Sequence, residues 1–209
     1  MEKNKLILFD WGNIVENNIT GFTWGKAWQE LFKKCGYTGH DEIKSSLSKY
    51  DLCKINDLEI LKKKYELIKN DFGLNTDFET FSNMYSVIFG RIDFFKDVRD
   101  YEISLKEKCY IGILSNLIYL DKERLDKEVD LSKYDYVFLS FEMGQMKPDI
   151  QTFEEIQKQL PFEPKNVLFI DDKDGNVESG SKVGWNTFKA TGFELDKIKE
   201  KCEEFLNNW

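Results

Sequence analysis

The chain has 209 residues, of which 41% are hydrophobic and 15% aromatic, and these fractions exclude a disordered chain and a small disulfide-stapled peptide. The net charge of −8, with lysine-rich runs interleaved by acidic residues, makes nucleic acid an unfavourable partner. No apolar run is long enough for a membrane span or a signal-peptide core, and the four cysteines form no Cys-x-x-Cys pair. We therefore expect a soluble, cytoplasmic protein that has no membrane partner; the pattern carries no signal for an oligomeric state.

Short apolar runs alternate with helical stretches along the chain, which is typical of a parallel sheet covered by helices on both faces. The predicted strands span residues 6–9, 110–114, 136–140, 167–170 and 187–189. A helix is expected from Pro148 onwards, because Phe153, Ile156 and Leu160 recur at helical spacing. The fold class is therefore α/β, with a doubly wound, Rossmann-like sheet.

The interval between the first two strands contains no convincing strand pattern. It reads as helices separated by glycines, with Asn56 as a candidate N-cap and Gly73 as the residue that ends one helix. We expect a helical cap domain over residues 17–92, inserted into an α/β core domain formed by residues 1–16 and 93–209.

Polar clusters follow four of the predicted structural elements at the edge where parallel strands end. Ligands of open α/β sheets bind at this edge. Carboxylates from two strand ends can share Mg²⁺, while a hydroxyl, helix-start N–H groups and a lysine can hold a phosphate. The clusters are Asp10 with Gly12 and Asn13, then Ser115 with Asn116, then Lys147, and finally Asp171 and Asp172 with Asn176.

Four segments in this order resemble the motifs of the haloacid dehalogenase-like (HAD) superfamily of hydrolases. They read LILFDWGNIV, IGILSN, MGQMKPD and VLFIDDKDGNVESGSKVGW, and the stretch from the first to the last, residues 6–185, spans most of the chain. The first is similar to the loop Asp-Leu-Gly-Asn-Val of sugar 1-phosphate phosphatases, including the α-D-glucose-1-phosphate phosphatase-like subgroup. The resemblance implies a Mg²⁺-dependent phosphatase that acts on a small phosphorylated metabolite through an aspartyl-phosphate.

The resemblance also implies roles for individual residues. Asp10 matches the carboxylate nucleophile that attacks phosphorus. Lys147 matches the lysine that offsets the charge of the phosphate and the nucleophile. Ser115, with Asn116 beside it, matches the phosphate-binding position.

A second set of positions matches the metal site of the family. Asp172 aligns with the main metal-binding aspartate, with Asp171 just before it and Asn176 as a second polar position. Asp10 and the backbone carbonyl of Gly12 complete this implied set.

Gly12 is also the main departure from the family pattern. Most phosphatases of this superfamily carry a second aspartate there as general acid and base, and glycine has no proton to donate. General acid–base catalysis contributes about 10²- to 10⁴-fold. We therefore expect substrates whose leaving oxygen hardly needs a proton, such as sugar 1-phosphates or acyl phosphates.

Two alternatives stay open at this point. A haloacid dehalogenase also lacks an acid at the position of Gly12, although such an enzyme needs no metal and no paired aspartates. A non-catalytic relative could use the same cleft to hold a phosphorylated ligand. Trp11, which follows Asp10 directly, is a candidate for stacking on a substrate sugar ring.

Overall fold

The computed structural model describes residues 3–12, 14–17, 21–128 and 130–208. The strands of its central sheet are β1 (Leu6–Phe9), β4 (Tyr110–Ser115), β5 (Tyr136–Leu139), β6 (Val167–Asp171) and β7 (Asn186–Lys189). All five are parallel, in the order β5-β4-β1-β6-β7. The predicted α/β fold class is confirmed, and each strand end differs from its predicted position by at most one residue.

Side chains of the central strands alternate between two apolar layers, because successive residues of a strand point to opposite faces. Leu6 and Leu8 pack on one face with Phe153 and Ile156 of helix α8 (Ile150–Gln159). Ile7 and Phe9 pack on the other, against residues of α5 (Lys96–Ser104) and α10 (Leu195–Asn207). Helices therefore cover both faces. The remaining helices of this part are α6 (Asp121–Glu128), α7 (Ser140–Met143) and α9 (Asp174–Lys182).

In the part of the insertion that the structure describes, four α-helices follow β1. They are α1 (Trp24–Lys34), α2 (Ile43–Ser46), α3 (Leu58–Phe72) and α4 (Phe78–Phe89). Their buried side chains make a hydrophobic cluster of their own, which also takes in Ile118 from the core. The predicted helical cap is thus present, while its boundaries after residue 16 and before residue 93 stay a prediction.

The chain enters and leaves the insertion through a short antiparallel ribbon. Its strands are β2 (Glu16–Asn17) and β3 (Asp93–Phe94), and Glu16 pairs with Phe94. Two-residue strands carry no periodicity in the sequence, so this ribbon was not predicted.

Two predicted helix starts are corrected by the capping geometry. The Asp149 side chain accepts a hydrogen bond from the Gln151 N–H, so α8 begins at Ile150 and Pro148 precedes it. Asp57, and not Asn56, caps α3 by accepting from the Ile60 N–H at 2.8 Å. Gly73 ends α3 in the left-handed conformation, as expected. None of the described helices is both long and apolar enough to cross a membrane.

Candidate active site

Three polar side chains converge where the central strands end. Asp10 directly follows β1, while Ser115 and Asp171 are the last residues of β4 and β6, the two neighbours of β1. All three are at most 4% exposed. Parallel pairing therefore brings together residues that are far apart in the sequence.

Lys147 ties this cluster together from the loop before α8. Its buried ammonium donates to Asp10 Oδ1 at 2.7 Å, to Asp171 Oδ2 at 2.6 Å and to the Leu114 carbonyl at 2.7 Å. Burial alone would lower the pKa of Lys147, but the charges of Asp10 and Asp171 outweigh it and raise the pKa. The lysine is therefore a fixed positive charge beside Asp10.

Asn116 holds the backbone of Lys147 in place. Its side-chain amide donates to the Lys147 carbonyl at 2.7 Å and accepts from the Lys147 N–H at 3.0 Å. The Lys147–Pro148 peptide bond that follows is cis. Asn116 also lines the cleft described below, but its amide contacts make it a positioning residue for Lys147.

Asp10 is a buried carboxylate that lies among charged groups. Its pKa is raised to about 6, because burial outweighs the opposing charge of Lys147 and the charge of Asp171 adds to the effect of burial. Its Oδ2 atom lies toward Gly12, 3.7 Å from the point where a Cβ on Gly12 would stand. The opposite oxygen receives the hydrogen bond from Lys147.

The acidic residues form a cluster suited to a hard cation. One oxygen each of Asp10, Asp171 and Asp172 lies within 4.8 Å of the others. A set of carboxylate oxygens is what Mg²⁺ prefers in proteins, so the donor chemistry fits this metal. Asn176 orients the cluster, since its amide nitrogen donates to both oxygens of Asp171, at 2.9 and 2.8 Å. In this arrangement Asn176 acts through Asp171, whereas the motif resemblance implies a metal ligand at its position.

A cavity of about 270 Å³ lies between this cluster and the helical cap. Asp10, Gly12, Ser115 and Lys147 form its floor. The facing wall comes from the cap and combines aromatic and aliphatic side chains with a few polar ones. The cap residues that line it are Trp24, Trp28, Lys44, Leu47, Ser48, Asp51, Leu52, Cys53 and Tyr85.

A hydrogen bond joins the cap to the core at the margin of this cavity. Tyr85 of α4 donates its hydroxyl to Asp121 Oδ1 at 2.8 Å, and Arg124 contacts the same oxygen at 3.2 Å. Asp121 is fully buried, and burial raises its pKa. No pattern in the sequence singles out Asp121, because its partner comes from a distant helix.

Trp11 does not lie in the cavity wall. Its ring is 1% exposed and packs edge-on against Phe94 with centroids 5.6 Å apart, so it belongs to the hydrophobic core. The prediction that it stacks on a sugar ring is corrected accordingly. Trp24 and Trp28 are the aromatic residues of the first cap helix that do reach the cavity. Asn13 lies outside the described residues.

Two lysines that the motif pattern did not include also line the cavity. Lys44 comes from α2 of the cap, and Lys173 follows Asp172 in the core. Their charges act on each other, and the pKa of Lys44 is lowered, first by burial and then by Lys173. A lysine in a helical insertion has no distinctive spacing, so only the fold could locate Lys44 over the cluster.

A family model described as haloacid dehalogenase-like hydrolase matches residues 7–190 of the chain. A D-ribitol-5-phosphate phosphatase of Bacteroides thetaiotaomicron is 25% identical over 197 residues, which are 88% of this chain and 91% of that protein. A drimenol cyclase of Aspergillus calidoustus is also 25% identical over 85% of this chain, but the chain spans only 31% of that protein's length.

Among solved structures, the fold is similar to that of a HAD-family enzyme from Bacteroides thetaiotaomicron, a variant crystallised with magnesium and inorganic phosphate. The TM-score is 0.71 at 20% identity, covering 91% of this chain and 96% of that one. At this identity the likeness supports the fold alone, over the 91% of this chain that it covers.

Proposed function

Because the chain belongs to the haloacid dehalogenase-like hydrolase family, we propose that it is a Mg²⁺-dependent phosphatase of small phosphorylated metabolites. The observation that carries the proposal is the contact of the buried Lys147 ammonium with both Asp10 and Asp171, next to an acidic cluster that could hold a metal. The Bacteroides relatives, one named a phosphatase and one solved with magnesium and phosphate, support this chemistry.

The residues of the cluster have different roles in the proposed phosphoryl transfer. Asp10 attacks phosphorus with one carboxylate oxygen and becomes an aspartyl-phosphate, which water then hydrolyses. Lys147 keeps Asp10 ionised and offsets negative charge on the transferred group, and the Ser115 hydroxyl donates to a phosphate oxygen. Asn116 and Asn176 hold Lys147 and Asp171 in position.

The metal site of the proposal consists of Asp10, Asp171, Asp172 and the carbonyl of Gly12. A Mg²⁺ ion held by these oxygens would supply positive charge that offsets the charge of the phosphate. The protein's own contribution is the fixed orientation of these oxygens, since Asp171 receives hydrogen bonds from Asn176, Lys147 and the Lys173 N–H.

The substrate class follows from Gly12. Without an acid at this position, leaving groups that need little protonation are favoured, so we propose sugar 1-phosphates or acyl phosphates as substrates. The cavity of about 270 Å³, with Trp24 and Trp28 in its wall, has room for a compact sugar ring. The named Bacteroides relative acts on a polyol 5-phosphate, which makes that ester the informative competitor in a test.

The test is a substrate panel of acetyl phosphate, hexose 1-phosphates, ribitol 5-phosphate and glycerol phosphate, assayed with Mg²⁺ and with EDTA. We expect turnover only with Mg²⁺, and faster turnover of the first two classes. Asp10→Asn abolishes it without unfolding the chain. Asp174→Asn, which removes an exposed carboxylate paired with Lys189, is the control and keeps full activity.

Three outcomes would count against the proposal. Full activity of Asp10→Asn would exclude the nucleophile. Halide release from a 2-haloacid in EDTA would identify a dehalogenase instead. Tight binding of a phosphorylated ligand without turnover of any panel member would identify a non-catalytic binding protein.

A further inference from the structure

The cap presents one cation to the cavity among the residues that the structure describes. This is Lys44, the second residue of α2, and the other cap residues that line the wall are apolar, aromatic, neutral polar or, at Asp51, acidic. Besides Lys147, the core contributes the cation Lys173 to the lining of the cavity. Within the described chain, neither lysine has a salt bridge within 4.0 Å, in contrast to Lys147.

Lys44 is an exposed residue that lines the cavity. The charge of Lys173 repels the Lys44 ammonium, whereas the charges of Asp172 and Glu42 attract it. Lys44 and Lys173 line the same cavity as like charges, so an anion bound between them would reduce their mutual repulsion.

The charge balance indicates which anion would fit. Asp10, Asp171 and Asp172 carry three negative charges, which Lys147 and one divalent cation would neutralise together. A phosphate monoester arrives as a dianion and is left with Lys44 and Lys173 as its counter-charges. The two lysines therefore match the charge of a single phosphate group, without a second anionic group on the substrate.

The direction of the reaction separates the roles of the two lysines. The attacking and leaving oxygens of a phosphoryl transfer lie roughly in line, so the leaving oxygen points away from Asp10. Asp10 lies on the core floor of the cavity, and the wall opposite belongs to the cap. The leaving oxygen thus faces the wall that contains Lys44.

We propose that Lys44 stabilises the negative charge that develops on the leaving oxygen, in place of the proton that Gly12 cannot supply. This role rests on the proposed phosphatase function. The Asp10 carboxylate forms a bond to phosphorus, the bond from phosphorus to the leaving oxygen breaks, and its electron pair stays on that oxygen beside the ammonium. Water then protonates the oxygen, and the hydroxide so formed hydrolyses the aspartyl-phosphate, so one water is consumed overall.

The carboxyl groups of Asp51 and Asp121, which also line the cavity, are less suited to assist the leaving oxygen. Asp51 pairs with Lys54 at 3.4 Å, and 60% of its side chain is exposed. Asp121 is fully buried and receives hydrogen bonds from Tyr85, Arg124 and the Ile118 N–H. Lys44 alone combines a cap position, a positive charge and an unpaired ammonium among the described residues that line the cavity.

The kinetic test compares leaving groups. Lys44→Met is expected to lower kcat/KM for glycerol phosphate, a poor leaving group, by about 10- to 100-fold, the effect of one charge-assisted hydrogen bond. For p-nitrophenyl phosphate and acetyl phosphate, which need little help, the expected loss is less than about threefold. Lys44→Arg keeps the charge and is expected to restore part of the rate. Lys62→Met, which removes an exposed cap lysine paired with Glu59, is the control.

A binding measurement provides a readout independent of turnover. In the presence of Mg²⁺, calorimetric titration with inorganic phosphate is expected to show affinity about tenfold weaker for Lys44→Met than for the wild type or Lys62→Met. Circular dichroism on the same samples verifies that each variant is folded. Equal phosphate affinity of Lys44→Met and wild type would overturn the proposal.

These experiments distinguish failure of the proposed phosphatase function from failure of the proposed role of Lys44. If the wild-type protein hydrolyses no member of the substrate panel, the proposed phosphatase function itself is refuted. Wild-type activity together with an equal loss for good and poor leaving groups in Lys44→Met leaves the phosphatase intact and refutes the role of Lys44. The role is also refuted if Asp51→Asn, and not Lys44→Met, shows the loss that depends on the leaving group.

Discussion

Lys147 Nζ lies 2.6 Å from Asp171 Oδ2, and both side chains are at most 1% exposed. The same ammonium contacts Asp10 at 2.7 Å, so one buried cation holds two buried anions that would otherwise repel each other. Breaking a buried ion pair from one side is costly, because the remaining charge stays without compensation. The stability of the protein and the electrostatics of its candidate site therefore depend on the same side chain.

Replacing this lysine tests that dependence directly. We expect Lys147→Met to lower the free energy of unfolding in EDTA by about 3–5 kcal/mol, the usual consequence of orphaning a buried charge. Saturating Mg²⁺ is expected to recover part of the loss, because a dication can take over the neutralisation of Asp10 and Asp171. Urea unfolding with and without Mg²⁺ measures both effects.

Lys189→Met is the matched control for this experiment, since it removes a lysine from an exposed pair with Asp174. Surface pairs contribute about 0–1 kcal/mol, so its unfolding curve should stay close to that of the wild type. Equal stability of Lys147→Met and Lys189→Met in EDTA would contradict the proposed electrostatic role.

Gly12 offers a gain-of-function test. Among the described residues, a Cβ at this position would meet only Asp10 Oδ2, at 3.7 Å, which is ordinary van der Waals contact, so these residues leave room for an aspartate. We expect Gly12→Asp to raise the turnover of glycerol phosphate relative to p-nitrophenyl phosphate by about 10²-fold, the lower end of general-acid catalysis. Gly12→Asn has a similar volume but no acidic proton, and it should not raise this ratio. An unchanged ratio in Gly12→Asp would show that protonation of the leaving oxygen does not limit the rate.

Glu102, which lies outside the candidate active site, is expected to make the stability of the protein depend on pH. This fully buried carboxyl of α5 accepts a hydrogen bond from the Tyr134 hydroxyl at 2.9 Å, and burial raises its pKa from 4.5 to about 8. The folded state therefore keeps a proton that the unfolded state loses. Stability is fully present below about pH 4.5, falls as the pH rises, and levels off once the pH passes about 8.

Glu102→Gln removes this titration and keeps an oxygen for Tyr134. We expect the variant to match the wild type near pH 4.5 and to be more stable by several kcal/mol at about pH 8, as chemical denaturation across this range would measure. Glu107→Gln, at an exposed position of the next turn, should follow the wild-type curve. Parallel curves for wild type and Glu102→Gln would show that the carboxyl is already ionised in the folded state.

Local patterns were sufficient to predict the sheet. Each strand of the core is a short apolar run, and the polar residue after it marks the edge at which ligands bind, so the amino-acid pattern alone places Asp10, Ser115 and Asp171 together. Helix starts were less accurate, because Asn56 and Asp57 are both good caps and their side-chain geometry decides between them.

The cap side of the site could not be predicted in this way. Which face of α2 meets the cavity depends on how the insertion packs on the core, and Lys44 has no partner in the sequence that reveals it. The prediction for Trp11 was wrong for a related reason: adjacency to Asp10 in sequence says little about orientation, since neighbouring residues of an extended segment point to opposite sides.

Among the strands of the central sheet, β1 is the first to leave the ribosome, yet it occupies the middle, between β4 and β6. Its four residues, Leu6–Phe9, are all fully buried in the finished protein. During translation they stay without their second neighbour until residues 167–171 have been synthesised. The carboxylate pair of Asp10 and Asp171 can therefore form only after the last of the three central strands has been made.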